Sequence, residues 1–230
     1  MTSENASPQP TDAAERTPHL YLVRHGEFPS NPLGLLDTEV PGQPLNAKGR
    51  EQAGIAGEQL IAFGSTATAV HHSQAERAKN TAQIISGALG VDAVEVPGAF
   101  EVQAGELEKR GDPDALASYR TYTHAWMRGN DLASALPGGE SGEDVRARIF
   151  PQIEKLYREH VAQGRDAVLV IHGTLIRVTA GLLGAIDGDF SASHAVPNCG
   201  IIGLIPTGDG ELGGAASWAC DDWAGITPQA

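Results

Sequence analysis

Three short segments of this chain carry side chains suited to chemistry on an anion. Arg24-His25-Gly26-Glu27 and His172-Gly173 each place a histidine directly before a glycine, and Arg77 follows Ser73 at a helical spacing. A neutral imidazole is a nucleophile or a proton carrier, and a guanidinium meets anionic oxygens with a planar fork of donors. Each histidine closes a short apolar run, so two parallel strands would bring both to one edge of a sheet. Glycine after each histidine permits a sharp turn and close approach of a ligand. A single histidine ending a strand is more often a hydrogen-bonded structural residue. The functional reading rests on two in matching contexts, one preceded by arginine. Arg77 is an independent sign. If Ser73 caps a helix, Arg77 falls at about the fourth position, where a cation opposes the dipole at a cost of up to about 1 kcal/mol. An anionic ligand would relieve that conflict; otherwise Arg77 points to solvent or pairs with Glu76 or Glu101.

The elements that must hold these residues are legible as periodicity. His19–Val23 and Ala167–Ile171 read as buried strands, with further strands at Thr68–His71, Ala93–Val96, Gly200–Ile205 and Ala216–Ala219. Asn46 caps a helix to about Phe63, and Ser73-Gln-Ala-Glu76 matches a capping box opening a helix to about Leu89. Further helices are predicted over Pro113–Arg128, Glu143–Gln163 and Thr174–Leu183, the last closed by Gly184. Strand–helix alternation implies an α/β fold, a mostly parallel central sheet with helices on both faces. The Gly/Pro-rich stretches Pro29–Pro44 and Leu136–Gly142 read as loops, and no repeat or linker splits the body. Residues 1–17 read as a disordered tail, leaving a single domain over residues 18–226.

Composition narrows the function classes. The 230 residues are 41% hydrophobic but only 5% aromatic, enough for one sizeable aliphatic core. With 16 basic and 29 acidic residues the net charge is −13, which argues against nucleic acid and anionic membranes as partners. A local cluster of cations stands out against such a field. No apolar run reaches the ~18 residues of a membrane span. Cys199 and Cys220 lack metal-type spacing and read as two buried thiols in a reducing compartment, and no secretory signal opens the chain, so the expected location is cytoplasmic. His71 and His72 are adjacent on a strand and face opposite ways, a poor pair of metal ligands.

In order along the chain, several segments resemble the motifs of the histidine phosphatase superfamily, the group that includes the cofactor-dependent phosphoglycerate mutases. They are Arg24-His25-Gly26-Glu27, Asn31, Leu45-Asn46-Ala-Lys-Gly49-Arg-Glu-Gln52-Ala53, and Ser73-x-x-x-Arg77-Ala78-x-x-Thr81-Ala82. Glu101-x-x-x-Gly105, Pro137-Gly-Gly-Glu140-Ser141, Val170-Ile-His172-Gly173 and Asn198 complete the set. The segment after Gly105 lacks the Trp-Glu-Gly often found there, and Gln74-Ala75 replaces the common Pro-Leu.

The resemblance implies roles. His25 would accept the phosphoryl group as a neutral imidazole, its other nitrogen held by an acceptor such as a backbone carbonyl. Arg24, Arg77, His172 and Asn31 would bind the phosphoryl oxygens. Glu101 is the candidate general acid, with Glu106, Glu27 and Glu140 as alternatives. Neither metal nor cofactor is expected, because the cations supply the electrostatics. The implied activity is a phosphomonoester hydrolase acting on a small phosphorylated metabolite. The alternatives are a phosphoglycerate mutase and a non-enzymatic phospholigand-binding module. Val102-Gln103-Ala104 after Glu101 cannot clamp a second anionic group as the Arg and Tyr of family mutases would. Tyr119, Tyr122 and Trp126 at helical spacing read as a packing stripe, which also allows a homodimer contact; the same helix, with Arg120 and Arg128, could line a substrate pocket.

Overall fold

The computed structural model describes residues 16–208 and 218–228; residues 1–15 of the expected tail lie outside them. In chain order the elements are β1 (Leu20–Arg24), α1 (Ala47–Ala62), β2 (Ala69–His72), α2 (Glu76–Leu89), β3 (Asp92–Glu95) and α3 (Pro113–Met127). There follow α4 (Gly142–Glu159), β4 (Ala167–Ile171), α5 (Gly173–Leu182), α6 (Gly188–Ser193), β5 (Ile201–Pro206) and β6 (Trp218–Trp223). Each expected strand is present, with ends displaced by one or a few residues. The sixth begins at Trp218, and Ala216 lies outside the described residues. The fourth helix stops at Glu159, and Val161–Gln163 forms a separate 3₁₀ turn. The short α6 had no periodic signal in the sequence.

The six strands form one sheet in the order β3-β2-β4-β1-β5-β6. β3, β2, β4 and β1 run parallel, while β5 and β6 are antiparallel additions. The two apolar runs that end in histidine are therefore central neighbours. Leu20 pairs with Ala167 and Arg24 with Ile171, so His25 and His172 emerge side by side. The pairing continues past the strands, where His25 N–H donates to Ile171 O (2.9 Å) and Ser73 N–H to Val170 O (3.1 Å).

Strand alternation gives the sheet two apolar faces. Tyr21, Val23, Val70, Val168 and Val170 pack beneath α1 and α2, through Ala53, Ala56, Leu60, Ala82 and Ile85. Leu20, Leu22, Leu169 and Ile171 pack on the other face against α3, α4 and α5, with Tyr119, Trp126, Ile149, Ile153 and Ile176. The chain thus forms a single α/β domain, with the crossovers β1–α1–β2–α2–β3 covering one face and α3–α4 returning over the other. Tyr119 and Trp126 are taken up by this core, the packing stripe expected of that helix. Among the described residues no helix is long and apolar enough to cross a membrane.

Close backbone approach, not an unusual dihedral, explains Gly26. A Cβ there would sit 2.3 Å from Gly49 O, and one on Gly49 would sit 2.0 Å from Glu27 O. The turn after His25 is thus seated on the first turn of α1, where Asn46 caps Gly49 N–H. A Gly49→Ala substitution should cost at least about 2 kcal/mol, because the obstructing atoms all belong to the Glu27 backbone. Urea unfolding measures this; a variant as stable as the parent would show that the seat can yield.

Candidate active site

The carboxyl ends of β2, β4 and β1 carry Ser73, His172 and Arg24-His25 in that spatial order. His25 is buried, and its Nδ1 lies 2.7 Å from Gly26 O. A carbonyl only accepts, so Nδ1 carries the proton and Nε2 keeps its lone pair. Burial, followed by the charges of Arg77 and Arg24, holds His25 well below the usual histidine range. The imidazole is therefore neutral and its tautomer is fixed, as the sequence reading required. Its ring lies 5.1 Å from that of His172.

His172 is fully buried, and its Nε2 lies 2.7 Å from Ser73 Oγ. Its Nδ1 has no partner among the described residues. Burial first, then Arg77 and His25, pushes it well below the ordinary range as well. Ser73 Oγ also accepts from Ala75 N–H (3.1 Å). Here the helix-cap expectation fails: α2 begins at Glu76 behind Ala75, with no side-chain cap. The Ser73 hydroxyl is engaged by His172 instead, and Arg77 stands at the second helical position. The dipole conflict remains, since Arg77 is still in the first turn.

Arg77 is buried and Arg24 half-buried, and neither has a carboxylate partner among the described residues. Arg77, 1% exposed, donates only to Glu39 O (3.3 Å) and lies 4.9 Å above the Phe28 ring. It pairs with neither Glu76 nor Glu101; Lys79 takes Glu76. Arg24 donates to Val196 O (2.7 Å). Gly173 leaves room for it, since a Cβ there would lie 3.1 Å from Arg24 Nε. The Nε–H groups of Arg24 and Arg77 and the Nδ1 of His172 are all buried with no hydrogen-bond partner among the described residues. Each unmatched buried donor costs about 1–3 kcal/mol, which an anion's oxygens would remove.

Glu101 reaches the same place. Its Oε1 accepts from Val102 N–H (2.9 Å) and Leu175 N–H (2.9 Å), and its Oε2 from Thr174 N–H (3.1 Å). The first turn of α5 thus orients the carboxyl group, a feature of chain folding that the sequence did not display. The alternatives lie elsewhere. Glu27 binds Lys48 and Asn46, Glu140 forms a fork with Arg148, and Glu106 is exposed. Asn31 Oδ1 accepts from Phe28 N–H and Asn198 Nδ2, which leaves its own Nδ2 without a protein partner among the described residues. Asn198 also binds His25 O (3.1 Å), tying β5 to the histidine turn.

A cavity of about 150 Å³ is lined by Arg24, His25, Asn31, Arg77, Glu101 and Thr174, with Phe28, Leu35, Leu36 and Tyr119 as apolar wall. A larger hollow of about 450 Å³ between α1 and the β5–β6 edge contains neither histidine nor arginine. The roof over the smaller cavity is an ionic clasp that the sequence did not reveal. Lys109 binds Asp37 (2.5 Å) and Glu39 (3.1 Å), Thr38 binds Glu108, and Leu36 and Lys109 pair through their backbones. Asp37, Glu39 and Glu108 lie close enough to hold a cation, and the Lys109 ammonium already sits among them. His71 and His72 do diverge, His71 towards His160 and His72 towards Ser73 O.

Several known proteins are similar to this chain. The family model of the histidine phosphatase superfamily (branch 1) matches residues 20–214. The chain is 32% identical over 173 residues to the 2,3-bisphosphoglycerate-dependent phosphoglycerate mutase of Brucella anthropi, covering 74% of this chain and 81% of that one. It is 33% identical over 157 residues to the probable phosphoglycerate mutase GpmB of Salmonella paratyphi C, covering 67% and 69%. Among solved structures, mycobacterial glucosyl-3-phosphoglycerate phosphatase complexed with VO3 superimposes with a TM-score of 0.72 at 25% identity, covering 91% of this chain and all (100%) of that one. The alpha-ribazole phosphatase of Shigella flexneri shares the fold, with a TM-score of 0.64 at 24% identity over 86% of this chain and 98% of that one.

The buried histidines make stability pH-dependent with a defined sign. Above the unfolded-state value of about 6.5, folded and unfolded chains carry these imidazoles neutral alike. Below it the unfolded chain binds protons that His25 and His172 in the folded chain cannot, so stability falls as pH falls. Each contributes up to about 1.4 kcal/mol per pH unit. Urea unfolding at pH 7 and pH 5.5 should show this loss, reduced in His25→Gln; equal losses in both proteins would refute the assignment.

Proposed function

Since the chain belongs to the histidine phosphatase superfamily (branch 1), we propose that it hydrolyses phosphomonoesters through a phosphohistidine on His25. The observation that carries this reading is electrostatic. Two unpaired guanidinium groups and the orphan donor of His172 converge around a neutral imidazole with a fixed lone pair. A phosphoryl group supplies both the anionic oxygens and the electrophile that such an arrangement lacks.

In the first step His25 Nε2 forms a bond to phosphorus as the bond to the ester oxygen breaks. Arg24, Arg77, Asn31 and His172 hold the non-bridging oxygens through the transfer. Glu101 gives its proton to the departing alkoxide. In the second step water attacks the phosphohistidine, Glu101 takes back a proton, and inorganic phosphate leaves with His25 neutral again. With Ala75 N–H already bound to Ser73 Oγ, the serine hydroxyl proton can be given to His172 Nε2. That places the ring proton on Nδ1, where it serves as the donor. The positive charge facing the phosphate belongs to arginine, so the proposed chemistry calls on no metal.

A mutase is the second reading, favoured by the names of the curated relatives. Against it, Val102 and Ala104 are buried, and Gln103 Nε2 is bound to Thr38 O and Glu101 O. The segment after Glu101 therefore offers no free cation to a second phosphate. Incubation with 3-phosphoglycerate and its 2,3-bisphosphate separates the two; interconversion without phosphate release would establish the mutase. A binding module would leave wild type and His25→Ala equally inactive across a phosphoester panel.

Hydrolysis of an aryl phosphate should persist in excess EDTA, vanish in His25→Ala, and label His25 on acid-free trapping. In Ser73→Ala, kcat should fall by about tenfold with a smaller change in KM, because the tautomer of His172 is no longer set. Loss of activity in EDTA, restored by a divalent cation, would overturn the metal-free scheme.

A further inference from the structure

The hollow of about 450 Å³ between α1 and the β5–β6 edge plays no part in the mechanism, yet its volume is that of a ligand site. One wall is a stripe of α1 and its C-cap, formed by Gln52, Ile55, Gln59 and Phe63 at steps of three and four residues. At about 1.5 Å per residue, that stripe is roughly 16 Å long. The opposite wall is the segment that enters β5, together with the turn after β6. Ile55 is 50% exposed and Phe63 41%, although both border a concavity. Apolar side chains left open around a hollow are where an apolar ligand gains most from leaving water.

Among the described residues that line the hollow, Asp222 alone is charged. Its Oδ1 accepts from Gly225 N–H (2.7 Å), and no cation pairs with it among the described residues. His19, which reaches this edge of the sheet, is bound to Asp221 instead (2.7 Å). A half-buried carboxylate beside an apolar wall keeps only part of its hydration, and a ligand cation would restore the balance. Burial pushes the Cys199 thiol up to about 12, so the floor stays uncharged.

The two ends of the hollow differ. Phe63 stacks on Tyr21 with ring centroids 6.0 Å apart, Tyr21 pairs with Gly203, and Gly203 pairs with Asp222. The acidic end is therefore at Phe63. Gln52 and Asn198 form the other end, against the histidine turn. Gln52 Oε1 accepts from Glu27 N–H (2.8 Å), and Asn198 Nδ2 donates to His25 O (3.1 Å). Cys199 N–H donates to Arg24 O (3.0 Å), so the floor of the hollow is also the support of that turn.

We propose that this hollow binds an amphipathic cation, with its ammonium group at Asp222 and its apolar chain laid along α1 toward the histidine turn. The hollow shares no lining residue with the phosphate cavity, so the site does not depend on the phosphomonoesterase reading. An occupant bears on Gln52, Asn198 and Cys199, and thereby acts as an effector of His25. Anionic ligands are rejected by Asp222, and neutral ones leave it unpaired.

The test compares 8-amino-1-octanol with 1,8-octanediol, the same chain without the charge. Titration calorimetry of the full chain at low salt should show the amine binding tighter by about three- to tenfold. Asp222→Asn should bring that ratio to about one and leave the affinity for the diol unchanged, because an Asn Oδ1 still accepts from Gly225 N–H. Ile55→Gln, on the exposed wall, should weaken both ligands alike. A chain of net charge −13 attracts any ammonium ion, so a ratio that survives Asp222→Asn marks general surface attraction and overturns the site. A wild-type ratio of one, or undiminished binding in Ile55→Gln, overturns it as well. Saturation with the amine should also move the NMR resonance of the His25 ring, identified by its loss in His25→Gln. An unmoved resonance overturns the effector role.

Discussion

Two arginine charges, Arg77 buried and Arg24 half-buried, that find no carboxylate partner among the described residues are the constraint from which the rest of the site follows. Placing a guanidinium inside a protein costs several kcal/mol unless its surroundings compensate. Arg24 and Arg77 receive only carbonyl oxygens and the Phe28 ring from the protein. Burial, followed by the arginine charges, strips His25 and His172 of any proton in excess of neutrality. One arrangement thus creates both an anion trap and a nucleophile. An ion pair satisfied internally would have been more stable and chemically inert.

Such a frustrated centre persists only if the scaffold cannot relax around it. The central β4–β1 pair is buried on both faces, and its ladder continues into the histidine turn. Gly26 and Gly49 lock that turn to α1 by direct backbone contact. Asn198 holds the carbonyl of His25 from the β5 side. On the open side, the Lys109 clasp engages the acidic side chains Asp37 and Glu39 of the roof in ion pairs. Asp37 illustrates the balance: burial pushes its carboxyl up, but bonds from Lys109 and Ser30 hold it below the usual range. The charge of Asp37 is thereby kept at the roof, where Arg77 also feels it.

The elements that carry the reactive groups were legible because their patterns are local. An apolar run ending in His-Gly reads as a strand delivering a side chain to an edge, and both such runs are central strands. Asn46 caps α1 as its position demanded. Ser73 shows where local reasoning stops. Its spacing to Glu76 is that of a capping box, yet its hydroxyl binds a histidine 99 residues away in sequence. Propensity saw only the helix, while the partner that won depends on β2 lying next to β4. The general-acid candidates divide in the same way. Four glutamates were near in sequence to the motifs, and chain folding brings only Glu101 to the first turn of α5.

The sequence by itself determined the two histidine-bearing strands, the two arginines and the parallel α/β plan, because strand periodicity and residue chemistry are properties of short segments. Tertiary structure alone decided that the arginines go unpaired, that Ser73 serves His172, and that Lys109 closes the roof. Each of these depends on which distant groups share a low-dielectric space, and no local pattern encodes that neighbourhood.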